Sequence, residues 1–504
     1  MLLLFRFKLL VTLTVLLVPW LSLTAQEQIG LISGNFAGTH NIRLNPSLMH
    51  GSRLYMDYNL LTVHTFFDNN YIYWEKQDVF DFLQNRTLPE YYTEENEPRT
   101  YGIFRDAQTK KGYQQLYVGG PAAMVVYKRH AFGLSTSLRS MTSFRDIPPD
   151  IAVFLYEAID YNNLQQINFD HLKNMTIASF AWAELGLSYA YNFHRYRWSY
   201  WSAGITLKPL FGLDAALAEV DNVNYQVHND DSASIYDVTF RYGYALPIDY
   251  TTNTYDSKPL FKGSGFAVDA GVTWAYTAKG HSTVIFNRLC EQPYEDYNVR
   301  VGLSVLDLGF IKYRKNTTFY DYSEVSTEWY RPYDTIAVNS LEDLNGKIAD
   351  FFSQSSGSPE PQKEFIINLP TVISLQADYH YRKYWYLNLL IYQPLKFSKQ
   401  YIYRPQMIAL TPRYETARFE VAIPISLYDY DFDNFRIGGF IRYGNVFAGA
   451  DQLLTWVKMD KVTGIDFYAG IRLNLSNVLK MNFIKGYCGM RKAYNIETFD
   501  YRNF

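Results

Sequence analysis

The feature that most constrains this chain is a hydrophobic repeat of two. Between Trp182 and Phe193 the odd positions Ala183, Leu185, Leu187, Tyr189, Tyr191 and Phe193 are apolar or aromatic, while Glu184, Gly186, Ser188, Ala190 and Asn192 are small or polar. Phe266–Tyr276, Ile373–His380 and Ile465–Asn474 repeat the pattern. Successive side chains of a strand point to opposite faces, so each segment is a strand with one apolar face. The runs reach about 10 residues, the length of a tilted membrane-crossing strand, whereas globular strands average five or six. Aromatic residues cluster toward the strand ends (Tyr189, Tyr191, Trp274, Tyr276, Trp385), where a membrane–water interface accepts them. Sandwich strands alternate as well, so the membrane reading needs independent support.

Composition and the N-terminus supply it. Charged residues are 19% and aromatics 17%, with 45 Tyr, against about 25% charged in an ordinary soluble domain. A packed core must find a partner for every phenol, whereas an interface buries the ring and wets the tip. Arg6 and Lys8 precede an apolar run, Leu9–Val18, and Leu23-Thr24-Ala25 offers a cleavage site. Residues 1–25 therefore read as a cleaved secretory signal peptide. No later run of about 18 apolar residues exists to form a helical span. Cys290 and Cys488 leave pairing open, since small secreted disulfide folds use more cysteines. The net charge of −3 excludes nucleic acid as an expected partner.

The connections separate by length. Tight links fall at 128–130, 194–196, 381–383, 414–415 and 444–445, and long ones at 67–113, 146–173, 214–262 and 315–367. The long ones share one parity, as an up-and-down barrel with short periplasmic turns and long outer loops requires. The segment 279–296 is the misfit, too long for a tight turn. The fold class is thus all-β: a transmembrane antiparallel barrel of about 14 strands. It spans 51–475, after a segment 26–50 read as periplasmic or as a short plug; 476–504 is a periplasmic tail or a final strand. Two loops carry helical patterns, Asp150–Tyr161 and Ser340–Phe352, the latter opening on a Ser-Leu-Glu-Asp capping sequence. In 297–314 the apolar phase flips between Val305 and Leu306, which predicts a bulge.

No catalytic set emerges, and the chain reads as a non-enzyme without metal or cofactor. The nine His are dispersed, and neither metal-ligand spacing nor a nucleophile elbow nor a phosphate loop occurs. The acidic run Glu90–Glu97 lacks calcium-ligand spacing and reads as a solvated loop. The residues that chemistry would use are those on the polar strand faces: Asp57, Asn59, Glu184, Ser188, Asp269, Thr273, Arg300, Ser374, Gln376, Asp378, Asp466 and Arg472. They are candidates for lining a lumen, where substitution is expected to be milder than on the lipid face.

Before the first strand stand Asn35-Phe36-Ala37-Gly38-Thr39 and Leu44-Asn45-Pro46-Ser47. The Asn45-Pro46 element resembles the entry of FadL-type barrels and their PorV relatives. Ala203–Asp214, Arg300–Lys315 and Asn368–Tyr381 resemble an uncharacterised outer-membrane barrel family of the Bacteroidota. The resemblance implies 14 strands, outer-membrane lipid as the surroundings, and passage of a small, hydrophobic molecule. Its alternative is a PorV-like scaffold that engages another envelope protein. Residues 26–50 depart from the FadL pattern, being short and polar where an apolar hatch would stand.

Overall fold

The computed structural model describes residues 28–473, apart from 55, 128, 173, 197–198, 278–283, 287–292, 296, 331–339, 353–358, 383, 397–401, 433–434 and 454–459. Residues 1–25, read as a signal peptide, lie outside the described residues, as do Cys290, Cys488 and 476–504. Fourteen strands form a closed antiparallel barrel. They are β1 (Met56–Asn69), β2 (Lys110–Tyr127), β3 (His130–Ile147), β4 (Met175–Tyr196), β5 (Ser199–Asn229), β6 (Gly263–Tyr276) and β7 (Val299–Tyr313). Then come β8 (Val372–Arg382), β9 (Trp385–Pro394), β10 (Met407–Glu415), β11 (Phe419–Ala422 with Ile425–Tyr428), β12 (Phe435–Ile437 with Gly439–Tyr443), β13 (Val446–Ala450) and β14 (Gly464–Leu473). Each pairs with its successor, and β14 returns to β1 through Tyr58↔Leu473. Closure leaves no free edge, which a strand in hydrocarbon cannot tolerate.

The alternation sets the faces. Leu187, Val272, Leu303 and Leu375 are 40–49% exposed on the outside, while Ser188, Asp269, Thr273 and Gln376 are buried within. Along the tight-turn end, Val284–Phe286 and Pro293–Glu295 pair as a small hairpin within the connection that broke the parity rule.

Two of the predicted outer loops are in large part strands. β5 runs 31 residues, and its far half pairs with Ser232–Ala245, which in turn pairs with Thr318–Tyr330. The stretches 214–262 and 315–367 read as loops because Asp221, Asn222, Asn224, Asn229, Asp230 and Asp231 interrupt the apolar pattern. Beyond the membrane a strand needs no apolar outer face, so period-two hydrophobicity fades while backbone pairing continues. On this outer sheet packs the helix Leu341–Phe352, capped by Ser340, whose Oγ accepts from the Asp343 N–H at 3.1 Å. Its Phe352 is buried in one cluster with Val238 and Tyr322 of the sheet and with Ala152 and Phe154 of a second helix, Pro149–Glu157.

The phase flip at Val305–Leu306 is a bulge. Val268 pairs with Leu308 and Ala270 with Val305, so Leu306 and Asp307 together oppose Asp269. Asp307 adopts φ 55, a left-handed conformation that Asp tolerates better than most residues. Both extra residues turn inward, and this delivers a carboxylate to the centre of the barrel.

Candidate functional site: a filled interior

Three layers fill the barrel, ordered along β4, β6 and β7 from the tight-turn end outward. The first holds Ser188, Thr273, Arg300 and Ser304; the second Glu184, Asp269 and Asp307; the third Trp182, Ala267, Ile311 and Tyr313. All of these side chains are buried or nearly so.

The N-terminal segment occupies the first layer. Between Gln28 and Leu54 nearly every residue is buried inside the barrel. It is built from short turns: Ile29–Ile32, Gly38–Arg43 and Pro46–Met49. Asn45 sits extended as N-cap of the last, its Oδ1 accepting from the Ser47 N–H at 3.0 Å, and Pro46 takes the first helical position that suits it. The segment is held by the wall. The Ile29 N–H donates to Asp451 at 3.0 Å and the Thr39 N–H to Asp57 at 2.9 Å. Ser304 Oγ donates to Leu44 O at 2.7 Å, Ser47 Oγ and Thr273 Oγ1 lie 2.6 Å apart, and Arg472 donates to Phe36 O. Arg53 donates to Tyr386 at 2.6 Å.

Ion pairs knit the wall around it. Asp378 accepts from Arg413 at 2.6 Å and Arg300 at 3.0 Å, Arg413 also meets Glu415 at 2.9 Å, and Arg442 meets Glu420 at 2.8 Å. In the second layer Arg139 of β3 grips Asp307 of β7 with two bonds of 2.9 and 3.0 Å. Lys208 bridges Asp307 at 2.8 Å and Asp269 at 2.5 Å. β3 and β7 are not neighbours in the ring, so this pair crosses the lumen. Buried pairs of this kind gain little net stability over apolar packing, but removing one partner is costly, so they fix one arrangement. The third layer is apolar: Phe66, Phe180, Trp182, Ile311, Tyr313 and Ile402 are buried together.

All twelve candidate lumen residues point inside, and so does the Asn45-Pro46 turn. Asp57, Thr273, Gln376 and Arg472 bond the N-terminal segment directly. Glu184 and Asp269 belong to the charged layer, and Arg300 and Asp378 to the ring around the segment. Ser188 bonds Thr206 at 2.8 Å, Ser374 accepts from Gln376 at 2.6 Å, Asp466 accepts the Asp451 N–H at 2.6 Å, and Asn59 donates to Gly120 O at 3.0 Å. What they line is packed protein, so inner-face substitutions that break these contacts are expected to be costly as well. Asp307, Arg139, Lys208, Arg413 and Glu415 complete the network without having been singled out. Asp307 was findable from the phase flip, and Arg413 and Glu415 from the period-two series Ala409, Thr411, Arg413, Glu415. Among the described residues no three His, Cys, Asp or Glu side chains are disposed to hold a metal.

A family model matches residues 46–451, from the Pro46 turn to Asp451. The chain belongs to DUF5723, a family of unknown function. No curated protein matches the sequence of this DUF5723 barrel. Among solved structures it is similar to the TodX deltaS2S3 mutant monoaromatic hydrocarbon channel, at 7% identity and TM-score 0.40 over 87% of this chain and 94% of that one. It is also similar to a Pseudomonas aeruginosa FadL homologue, at 12% identity and TM-score 0.31 over 89% and 97%. The Pseudomonas putida toluene transporter TodX matches at 9% identity and TM-score 0.27 over 89% and 92%. Likenesses this distant carry nothing about cargo to the DUF5723 barrel.

Proposed function

We propose that this chain is an exported outer-membrane barrel, closed by its own N-terminal segment, that passes a small molecule when the segment withdraws. The membrane part of this reading rests on the outer face. On β6 the aromatic pair Trp274 and Tyr276 lies eight to ten residues from Phe266. At about 3.3 Å per residue and a tilt near 45°, that separation is roughly 19–23 Å, close to the height of an apolar band between aromatic girdles.

The observation that carries the passage reading is that the seal is a separate segment: residues 28–54 fill the bore as short turns, and no strand among them is paired into the barrel sheet. Segment and wall meet through polar pairs, at Thr39–Asp57, Ser47–Thr273, Asn45–Gln376 and Ile29–Asp451, and through apolar clusters, in which Ile29, Leu44 and Leu48 pack with Leu306 and Leu390, and Ile42 and Met49 with Met124 and Ala131. Water can replace the polar contacts on both surfaces when they part, while the apolar clusters oppose separation and keep the closed state the resting one. The geometry suggests a lock: with Ser47 and Thr273 both replaced by Cys, sulfurs would stand where hydroxyls now lie 2.6 Å apart. The reduced protein in a planar bilayer should show intermittent conductance, and the oxidised protein none. Equal conductance in the two states would remove the segment from any gating role.

A second reading, a scaffold serving another envelope protein, is favoured by the outer sheet. The far half of β5, Ser232–Ala245, Thr318–Tyr330 and two packed helices make more structure than a pore needs. Loss of a co-purifying envelope protein on deletion of 340–357, with conductance unchanged, would select it.

A further inference from the structure

The wall beneath the Asn45-Pro46-Ser47 turn lacks side chains. Gly204, Gly271 and Gly302 lie on β5, β6 and β7, with Gly204 paired to Gly271 and Gly302 to Thr273. A Cβ at Gly204 would stand 2.5 Å from Pro46 C, and one at Gly271 would stand 2.2 Å from Asn45 Oδ1. At Gly302 it would meet Gln376 Oε1 at 2.3 Å and Asn45 Nδ2 at 3.0 Å. Three strands therefore give up their inward side chains at one place, making a slot that backbone can enter.

The rim of the slot reads amide groups. Asn45 Nδ2 donates to Gln376 Oε1 at 3.1 Å and to Val272 O at 3.2 Å. Ser304 and Ser202 hydroxyls donate to the carbonyls of Leu44 at 2.7 Å and Ser47 at 3.2 Å. The resident turn does not answer everything offered. Beside it is a cavity of about 10 Å³ lined by Ser33, Leu44, Arg300, Gln376, Asp378 and Asn388. Arg300 Nη1, Asp378 Oδ1 and Asn388 Oδ1 are buried there without a hydrogen-bond partner. Buried polar atoms are ordinarily paired, so the slot has donors and acceptors to spare beyond those that residues 44–47 use.

We propose that this slot is a binding site for a peptide bearing a carboxamide side chain, which competes there with the chain's own residues 44–47. The inference rests on the reading of the N-terminal segment as displaceable, and it assigns the passenger or effector to the amide-bearing, peptide-like class rather than to hydrocarbons. Affinity would come from backbone carbonyls received by Ser202 and Ser304, and selectivity from the carboxamide, since a site built around a buried amide rejects an analogue that leaves it unpaired.

The test uses the full-length protein in vesicles and a labelled synthetic peptide of residues 41–50. Asn45→Leu in the protein weakens the resident turn. The peptide should then bind saturably to that variant and about ten-fold or more weaker to the native chain, whose own segment competes at high local concentration. A peptide with Leu in place of Asn45 should bind at least about ten-fold weaker, the equivalent of one buried hydrogen bond. Adding Gly271→Ala to the Asn45→Leu protein should abolish binding while heat-modifiable mobility, the sign of a folded barrel, persists. No saturable binding to Asn45→Leu, equal binding of the Asn and Leu peptides, or binding that survives Gly271→Ala would each overturn the proposal. Solute influx into the same vesicles reports separately on passage. Influx without peptide binding sinks the site and spares the gating reading, and binding without influx does the reverse.

Discussion

Asp307 offers the sharpest check on the interior, because its bulge and its charge can be perturbed separately. Asp307→Ala removes the acceptor of Arg139 at 2.9 and 3.0 Å, of Lys208 at 2.8 Å and, more distantly, of Arg404 at 3.7 Å. Breaking a buried pair costs about 3–5 kcal/mol. Arg139 keeps Glu184 at 3.5 Å and Lys208 keeps Asp269 at 2.5 Å, which places the electrostatic loss near the low end, about 3 kcal/mol. Alanine at φ 55 adds about 1 kcal/mol of steric cost that glycine does not incur. The expected order of destabilisation is therefore Asp307→Ala at about 4 kcal/mol, then Asp307→Gly at about 3, then Asp307→Asn, which tolerates the left-handed backbone and keeps one acceptor. Urea unfolding of the vesicle-inserted protein, followed by Trp fluorescence and by gel mobility, measures all three. A loss below about 1 kcal/mol for Asp307→Ala would mean that the charged layer does not hold β3 to β7. Glycine as costly as alanine would mean that the bulge carries no left-handed strain.

Other consequences follow from the same geometry. Val272→Arg, on the lipid face, should cost about 2–4 kcal/mol in the same unfolding assay, and a neutral result would contradict the membrane assignment of β6. Thr273→Arg, one residue on, has no space beside Ser47, and should instead make the segment 28–54 susceptible to protease while the barrel stays folded. Ser340→Ala should weaken the cap of the outer helix by about 1 kcal/mol, seen as faster amide exchange over Leu341–Leu344. At the exposed turn after Ser232–Ala245, Asp249 accepts from the Thr252 and Thr251 N–H groups at 2.9 Å, and these hold its carboxyl below the ordinary value. A lowered carboxyl pKa orders the turn above the ordinary carboxylate range, and that order is lost as pH falls through the lowered value. The Thr251 and Thr252 amide resonances should shift in acid, and should not in Asp249→Asn.

The parts of the fold legible in the sequence are those where lipid imposes the pattern. Hydrocarbon outside forces every second residue of β4, β6 and β8 to be apolar, so the faces, the tight turns and even the Leu306–Asp307 bulge appear as regularities in the order of residues. Where lipid ends, the constraint ends. The far half of β5 is paired with Ser232–Ala245 through three shifts of register, yet water on one side lets Asn222, Asn224 and Asp237 stand in the ladder, and the alternation dissolves into what looks like loop.

The interior obeys a different logic, and for that reason its polar residues were locatable while their role was not. Alternation says that Thr273, Ser304 and Gln376 face inward, but a hydroxyl awaiting water and a hydroxyl awaiting a peptide carbonyl are the same residue in a sequence. The discriminating sign lies in what is missing: Gly204, Gly271 and Gly302 stand at inward positions on three consecutive strands. A water-filled bore gains nothing from surrendering side chains at one level of three neighbouring strands, since water fits around any of them. A second length of chain does gain, because its backbone must approach to within hydrogen-bonding distance of the wall. Read alone, each glycine is an ordinary small residue of a polar strand face. Only when register aligns them, and sets Asn45 against them, does the N-terminal segment become intelligible as something the barrel is shaped to receive.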